Sequence, residues 1–170
     1  MKWFVAVWLL CAGLGVSFSV VKERRARITL LKEMEHSLKK LAYYMYQWKM
    51  PAEEAFRHVV RDEKGGLSTF FQAMHTSLEE KKAENLSDLW QEKSSLHIDR
   101  KNLQESAWVS WQECFFHIPM EPEALNRSLI LRAEEIAACR AGLEEKYMGE
   151  QKLVLTLGIF TGAFICLVLW

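Results

Sequence analysis

Apolar positions in this chain fall into two arrangements: unbroken runs at the two ends and a helical rhythm between them. Trp3 to Val21 and Leu153 to Trp170 are uncharged and mostly apolar, 19 and 18 residues long. As helices rising 1.5 Å per residue, each is just long enough to cross the ~30 Å hydrocarbon layer of a bilayer. From Ile28 the apolar residues Leu31, Met34, Leu38, Leu41, Met45 and Trp48 follow at spacings of 3, 4, 3, 4, 3, a narrow stripe on one helix face. No proline or glycine separates this stripe from the first apolar run, so one helix is expected to continue through both. Lys32, Glu35, Lys39 and Lys40 are assigned to its opposite, soluble face.

Met50-Pro51 ends that helix, because the residue before a proline avoids helical backbone angles. Pro51 fits the first turn of a second helix, with Glu53 and Glu54 at its positive end. Its expected buried residues are Ala55, Val59 and Val60, and Gly65-Gly66 marks its stop. A third helix carries Phe70, Phe71, Met74 and Leu78, and Lys81, Lys82 and Asn85 read as a polar connection. Asp88 with Gln91 three residues on predicts a capped fourth start, carrying Leu89 and Trp90. After Asp99 a fifth, aromatic helix brings Leu103, Ala107, Trp108, Trp111, Cys114, Phe115 and Ile118 onto one face, which reads as core. Met120-Glu121-Pro122-Glu123 repeats the punctuation at Pro51 and opens the last helix, with Leu125, Leu129, Ile136, Cys139, Leu143 and Tyr147 on one side. The expectation is an all-α protein. Residues 22–152 form a bundle of about six helices, flanked by transmembrane helices at 3–21 and 153–170.

Composition agrees with that class, since only 3 prolines and 8 glycines interrupt a chain rich in Leu, Glu, Lys and Ala. Lysine and arginine total 22, matching the 22 acids, so no basic stripe points to nucleic acid. The distribution of the bases says more. Lys2 stands alone before the first run, whereas Lys22, Arg24, Arg25, Arg27 and Lys32 follow it. This asymmetry predicts a cytoplasmic central domain with both termini outside, and a cell-membrane location. Lys2, the apolar run, Ser17 and Ser19 also fit a cleaved signal peptide, which the downstream basic cluster opposes. Leu10 before Cys11 argues against a lipoprotein.

Candidate chemistry is sparse. The sequence holds no glycine-rich phosphate loop, no H-E-x-x-H and no G-x-S-x-G. His36, His58, His75, His97 and His117 are dispersed, and Cys11, Cys114, Cys139 and Cys166 form no C-x-x-C pair. Paired acids such as Glu53-Glu54 and Glu134-Glu135 read as solvated, salt-bridging faces. No enzyme, cofactor, metal or small-molecule substrate is expected. Gly158 and Gly162 form G-x-x-x-G, the spacing that lets helices approach closely in lipid, and Gly13 and Gly15 offer a complementary groove within the same hairpin.

Two stretches carry a family resemblance. The ending Glu145-Lys146-Tyr147-Met148, then Leu157-Gly158 to Gly162, then Ile165 to Trp170, resembles that of the stage III sporulation protein AB family. Tyr46, Pro51, Glu54 and Ala55 resemble its tyrosine-then-P-L-x-E-A segment, with Ala52 replacing leucine and one extra residue before the proline. The family's L-G-x-x-D-x-x-x-Q segment is replaced by Phe116 to Asn126.

The resemblance implies a component of the secretion-like channel built between mother cell and forespore. It implies a bundle similar to a cytoplasmic domain of the inner-membrane platform proteins of type II secretion and type IV pilus machines. The implied partners are the channel's ATPase, stage III sporulation protein AA, other channel components and membrane lipid. Contact candidates are Tyr46, Pro51, Glu54, Ala55, Lys146 and Tyr147. The alternative, from the residues alone, is a membrane-bound regulatory adaptor whose bundle binds a soluble signalling partner.

Overall fold

The computed structural model describes residues 2–62, 65–80, 85–116 and 121–169, with side-chain packing between Lys22 and Glu150. Every regular element among the described residues is helical. Helix α1 runs Lys2–Gln47 without interruption, as the absence of a proline or glycine between Val21 and Ile28 predicts, and α6 runs Pro122–Leu169. Between them lie α2 (Ala52–Asp62), α3 (Ser68–Glu79), α4 (Leu86–His97) and α5 (Glu105–Gln112). Helices α1 and α6 pack along each other; α2 leans on α1 and α3, α3 on α4, and α5 on α6.

Local chemistry sets most boundaries. Lys49 turns into the left-handed region at φ 49°, and the Met50 amide donates back to the Tyr44 carbonyl at 3.2 Å, closing α1 ahead of Pro51. The Pro51 carbonyl accepts from the Ala55 amide at 3.0 Å, so Pro51 sits just outside α2, with Glu53 and Glu54 in the first turn. Pro122 is the first residue of α6, where its missing N–H costs nothing.

The stripe Leu31, Met34, Leu38 and Leu41 is fully buried, Met45 is half-buried, and Trp48 departs from the expectation at 56 % exposure. The helix stops one residue before Trp48, so its side chain no longer follows the helical period. Glu35 is a second departure. Instead of facing solvent it lies between α1 and α6, where it meets Arg140. On α2 the core residues are Ala55, Phe56 and Val59, with Val60 only half-buried; Phe56 takes its place.

The fourth helix is capped by Asn85, whose Oδ1 accepts from the Ser87 amide at 3.0 Å, rather than by Asp88. The fifth is shorter than its pattern. Asp99 caps a 3₁₀ turn at Arg100–Asn102, α5 follows, and another 3₁₀ turn occupies Glu113–Phe115. Tightening to three residues per turn lets Trp111, Cys114 and Phe115 all point into the core. Lys81, Lys82, His117, Ile118 and Met120 lie outside the described residues.

The core is aromatic, as the sequence predicts. Phe56, Phe70, Phe71, Trp90 and Trp111 are fully buried, each stabilising the fold by about 1.5–3 kcal/mol or more through apolar burial. Phe70 meets Trp90 edge to face at 4.9 Å between centroids. Burial pushes the Cys114 thiol well above the ordinary thiol range, so Cys114 packs as an apolar side chain. Among the described residues no helix is long and apolar enough to cross a membrane; the side chains of Trp3–Val21 and Leu153–Trp170 lie outside them.

Candidate interaction surface

Two places on the bundle gather the residues singled out by sequence: the corner where α1 gives way to α2, and the opposite end of the α1–α6 pair.

At the corner the two proline signals of the chain come together. Pro51 and Pro122 both line an open groove of about 1070 Å³, with Met45, Tyr46, Met50 and Leu125 among its walls. Tyr46 is 37 % exposed, so this candidate is available to a partner. Glu54 is tied to Arg57 at 3.3 Å on the outside of α2. Ala55 has no exposed surface and packs in the core, so its part in the corner is structural.

Beside the groove stands an aromatic ridge. Tyr43 and Trp48 are both more than half exposed, and their rings lie 6.1 Å apart. Tyr44 touches Tyr43 and Trp48 at 5.8 and 6.0 Å and the His58 ring at 5.3 Å. Its hydroxyl donates to Asp62 at 3.1 Å. Burial, then the hydrogen bond to Asp62, raises the Tyr44 pKa above the ordinary tyrosine value. Exposed tyrosine and tryptophan held by their neighbours are the residue types enriched at protein interfaces. Sequence reasoning missed Tyr43 as a surface residue and placed Trp48 in the core. The available signal was Pro51, which ends the helix early enough to release Trp48.

At the opposite end, Arg24 pairs with Glu150 at 2.6 Å and its guanidinium lies 4.8 Å from the Tyr147 ring centroid. Tyr147 is thus half-buried under Arg24, while Lys146 is exposed. Within the basic cluster Arg27 pairs with Glu23 at 2.7 Å, and Lys22 and Arg25 are exposed.

Further along, Arg140 donates to Glu35 at 3.2 Å and to Glu144 at 2.9 Å. Burial pushes the Glu35 carboxyl up, but Lys39 and Arg140 outweigh it and hold the group below its ordinary value. From Arg24 to Glu35 is eleven residues on α1; from Glu150 to Arg140 is ten on α6. The two helices therefore run antiparallel in one register. The glycines at 13, 15, 158 and 162 belong to helical backbone whose packing lies outside the described residues.

Among the described residues no cluster of three or more histidine, cysteine or acidic side chains could hold a metal. What both places offer is surface for contact. The family model described as stage III sporulation protein AB matches residues 2–170 of the chain. No curated protein and no solved structure matches it.

Proposed function

The chain belongs to the stage III sporulation protein AB family, and from that premise we propose that it is the membrane-anchored coupling component of the mother cell–forespore channel complex, engaging the complex's ATPase. Its role lies in sporulation. In this reading the bundle faces the mother-cell cytoplasm and both termini lie beyond the membrane, in the manner of the platform proteins of secretion machines. The chain performs no reaction; it transmits position or force.

The observation that carries the reading is the common register of α1 and α6. Three residues beyond Arg24 and Glu150 stand Val21 and Leu153, where the two apolar runs begin. The runs thus leave the bundle from the same level and extend for similar lengths, as the two arms of a hairpin in one bilayer require. The basic residues Lys22, Arg24, Arg25 and Arg27 gather at that level, where lipid headgroups and the positive-inside bias would hold them. Since α1 is one helix of 46 residues, about 70 Å long, a displacement of the bundle is carried to the buried arm without an intervening hinge.

Affinity purification of the full-length protein from sporulating cells, solubilised with its membrane, tests the proposal. Recovery of the sporulation ATPase is expected. Recovery of other channel membrane proteins without the ATPase would remove the coupling role, and a soluble signalling protein in its place would favour the adaptor. Replacing Gly158 and Gly162 with leucine should weaken assembly; unchanged assembly would make that glycine pair incidental.

A further inference from the structure

A second opening lies on the outer side of the corner, where Arg57, His58, Val60 and Arg61 of α2 and His75 of α3 surround a cleft of about 490 Å³. We propose that this cleft, together with the Tyr43–Trp48 ridge, docks an acidic, partly apolar segment of a protein partner, whose carboxylates are received by Arg57 and Arg61. The proposal rests on the coupling reading and deepens it by giving the chemistry of the docked segment.

The cations of the cleft are poorly matched within the chain. Asp62, the acid adjoining Arg61, is held on the α1 side by the Tyr44 hydroxyl at 3.1 Å and by Lys40 at 3.8 Å. Arg61 makes no ion pair among the described residues. Arg57 has only the solvent-exposed contact with Glu54, which water largely screens. His75 presents Nε2 to Glu79 at 3.4 Å, while its Nδ1 is buried without a hydrogen-bond partner. Being buried, that nitrogen is closed to a docked segment, so recognition of carboxylates falls to the two arginines. Two guanidiniums at one cleft favour carboxylates, which they can bind through paired N–H groups.

His58 belongs to both features, lining the cleft and touching the Tyr44 ring, so the apolar-walled cleft and the aromatic ridge form one surface, bordered by Arg57 and Arg61. Such a surface fits a segment that alternates acids with large apolar side chains. Distance from the basic cluster selects a protein over a bilayer. Tyr44 stands nineteen residues, about 28 Å, along α1 from Arg25, at the end of the bundle away from the level where the apolar runs begin.

The test uses the full-length protein in lipid nanodiscs and a short fluorescent peptide rich in glutamate and leucine. Saturable binding is expected, with none for the same peptide carrying glutamine for glutamate. Combined Arg57→Glu and Arg61→Glu should weaken binding at least about tenfold, as loss of desolvated charge pairs does, with the melting temperature unchanged. Should the double variant melt early, Arg61→Gln alone is used and should weaken binding severalfold. Failure of the wild type to bind, or equal binding by the variants, overturns the proposal. Displacement by inorganic phosphate as readily as by unlabelled peptide also overturns it, by marking a small-anion site.

Co-purification of the ATPase is scored on the same variants. Peptide binding without ATPase recovery leaves the cleft standing and removes the coupling reading. ATPase recovery that ignores both arginine reversals does the opposite.

Discussion

Arg24 of α1 and Glu150 of α6 meet at 2.6 Å, with the Arg24 guanidinium over the Tyr147 ring. The contact lies three residues from the start of either apolar run, so it ties the two long helices together just before those runs begin. Cysteines at 24 and 150, in a chain otherwise free of cysteine, should be joined within one chain by a short bis-maleimide. Gel migration of a compact monomer is the expected result. A covalent dimer would show that the pair forms between chains, and absence of any cross-link would remove the common register.

Trp90 donates its indole N–H to the Trp111 carbonyl at 2.7 Å, and Trp111 donates in turn to the Ser94 hydroxyl at 3.0 Å. Both rings are fully buried, so neither indole N–H can turn to water. Trp90→Phe leaves the Trp111 carbonyl without this donor and should cost about 1–3 kcal/mol, while Trp90→Ala adds a cavity and should cost about 3–5 kcal/mol. Denaturant unfolding of the wild type and both variants measures the difference. Equal costs would mean that the hydrogen bond, not the volume of the ring, dominates.

Lys49 holds a left-handed conformation that costs a residue with a side chain roughly 1 kcal/mol or more. Lys49→Gly should therefore stabilise the protein by about 0.5–1 kcal/mol, and Lys49→Val should destabilise it, since a β-branched residue fits that region worst. Thermal unfolding of the three proteins checks the order. A less stable glycine variant would show that the lysine side chain makes a contact outweighing the strain.

Glu35 loses its proton more readily in the folded protein than its ordinary value of 4.5 implies, because Lys39 and Arg140 outweigh the effect of burial. A depressed folded pKa gives stability that is fully present above pH 4.5 and lost as the pH falls through the folded value. Glu35→Gln should cost about 1–2 kcal/mol at neutral pH, where it leaves half-buried Arg140 with Glu144 alone. Its stability should then fall less steeply with acid than that of the wild type. Parallel acid slopes for the two proteins would exclude Glu35 as a contributor.

The candidate corner was only partly legible in the sequence. Tyr46 and Pro51 could be placed there because a proline acts on its immediate neighbours, and Glu54 because acids favour the first turn of a helix. The helical pattern expects Ala55 to be buried, as it is, whereas the resemblance implied it as a contact residue, which its full burial excludes. The ridge was not legible. Tyr43 directly follows buried Ala42 on α1, and Trp48 continues the apolar stripe by spacing although the helix ends before it, and both are exposed. The cleft cations could be counted, but that Arg61 lacks an ion pair among the described residues depends on Asp62 turning toward Tyr44 and Lys40, a choice between helices.

By itself the sequence determined the all-α class, the breaks at Pro51 and Pro122, the buried run from Leu31 to Leu41 and the aromatic make-up of the core. These follow from local rules, namely the helical period, the missing N–H of proline and the large apolar area of phenylalanine and tryptophan. Tertiary structure alone decided that Glu35 faces Arg140 and that the fifth helix tightens around Trp111 and Phe115. Each of these outcomes depends on which neighbouring helix supplies a partner or fills a volume, and such long-range terms leave no periodic mark in the chain.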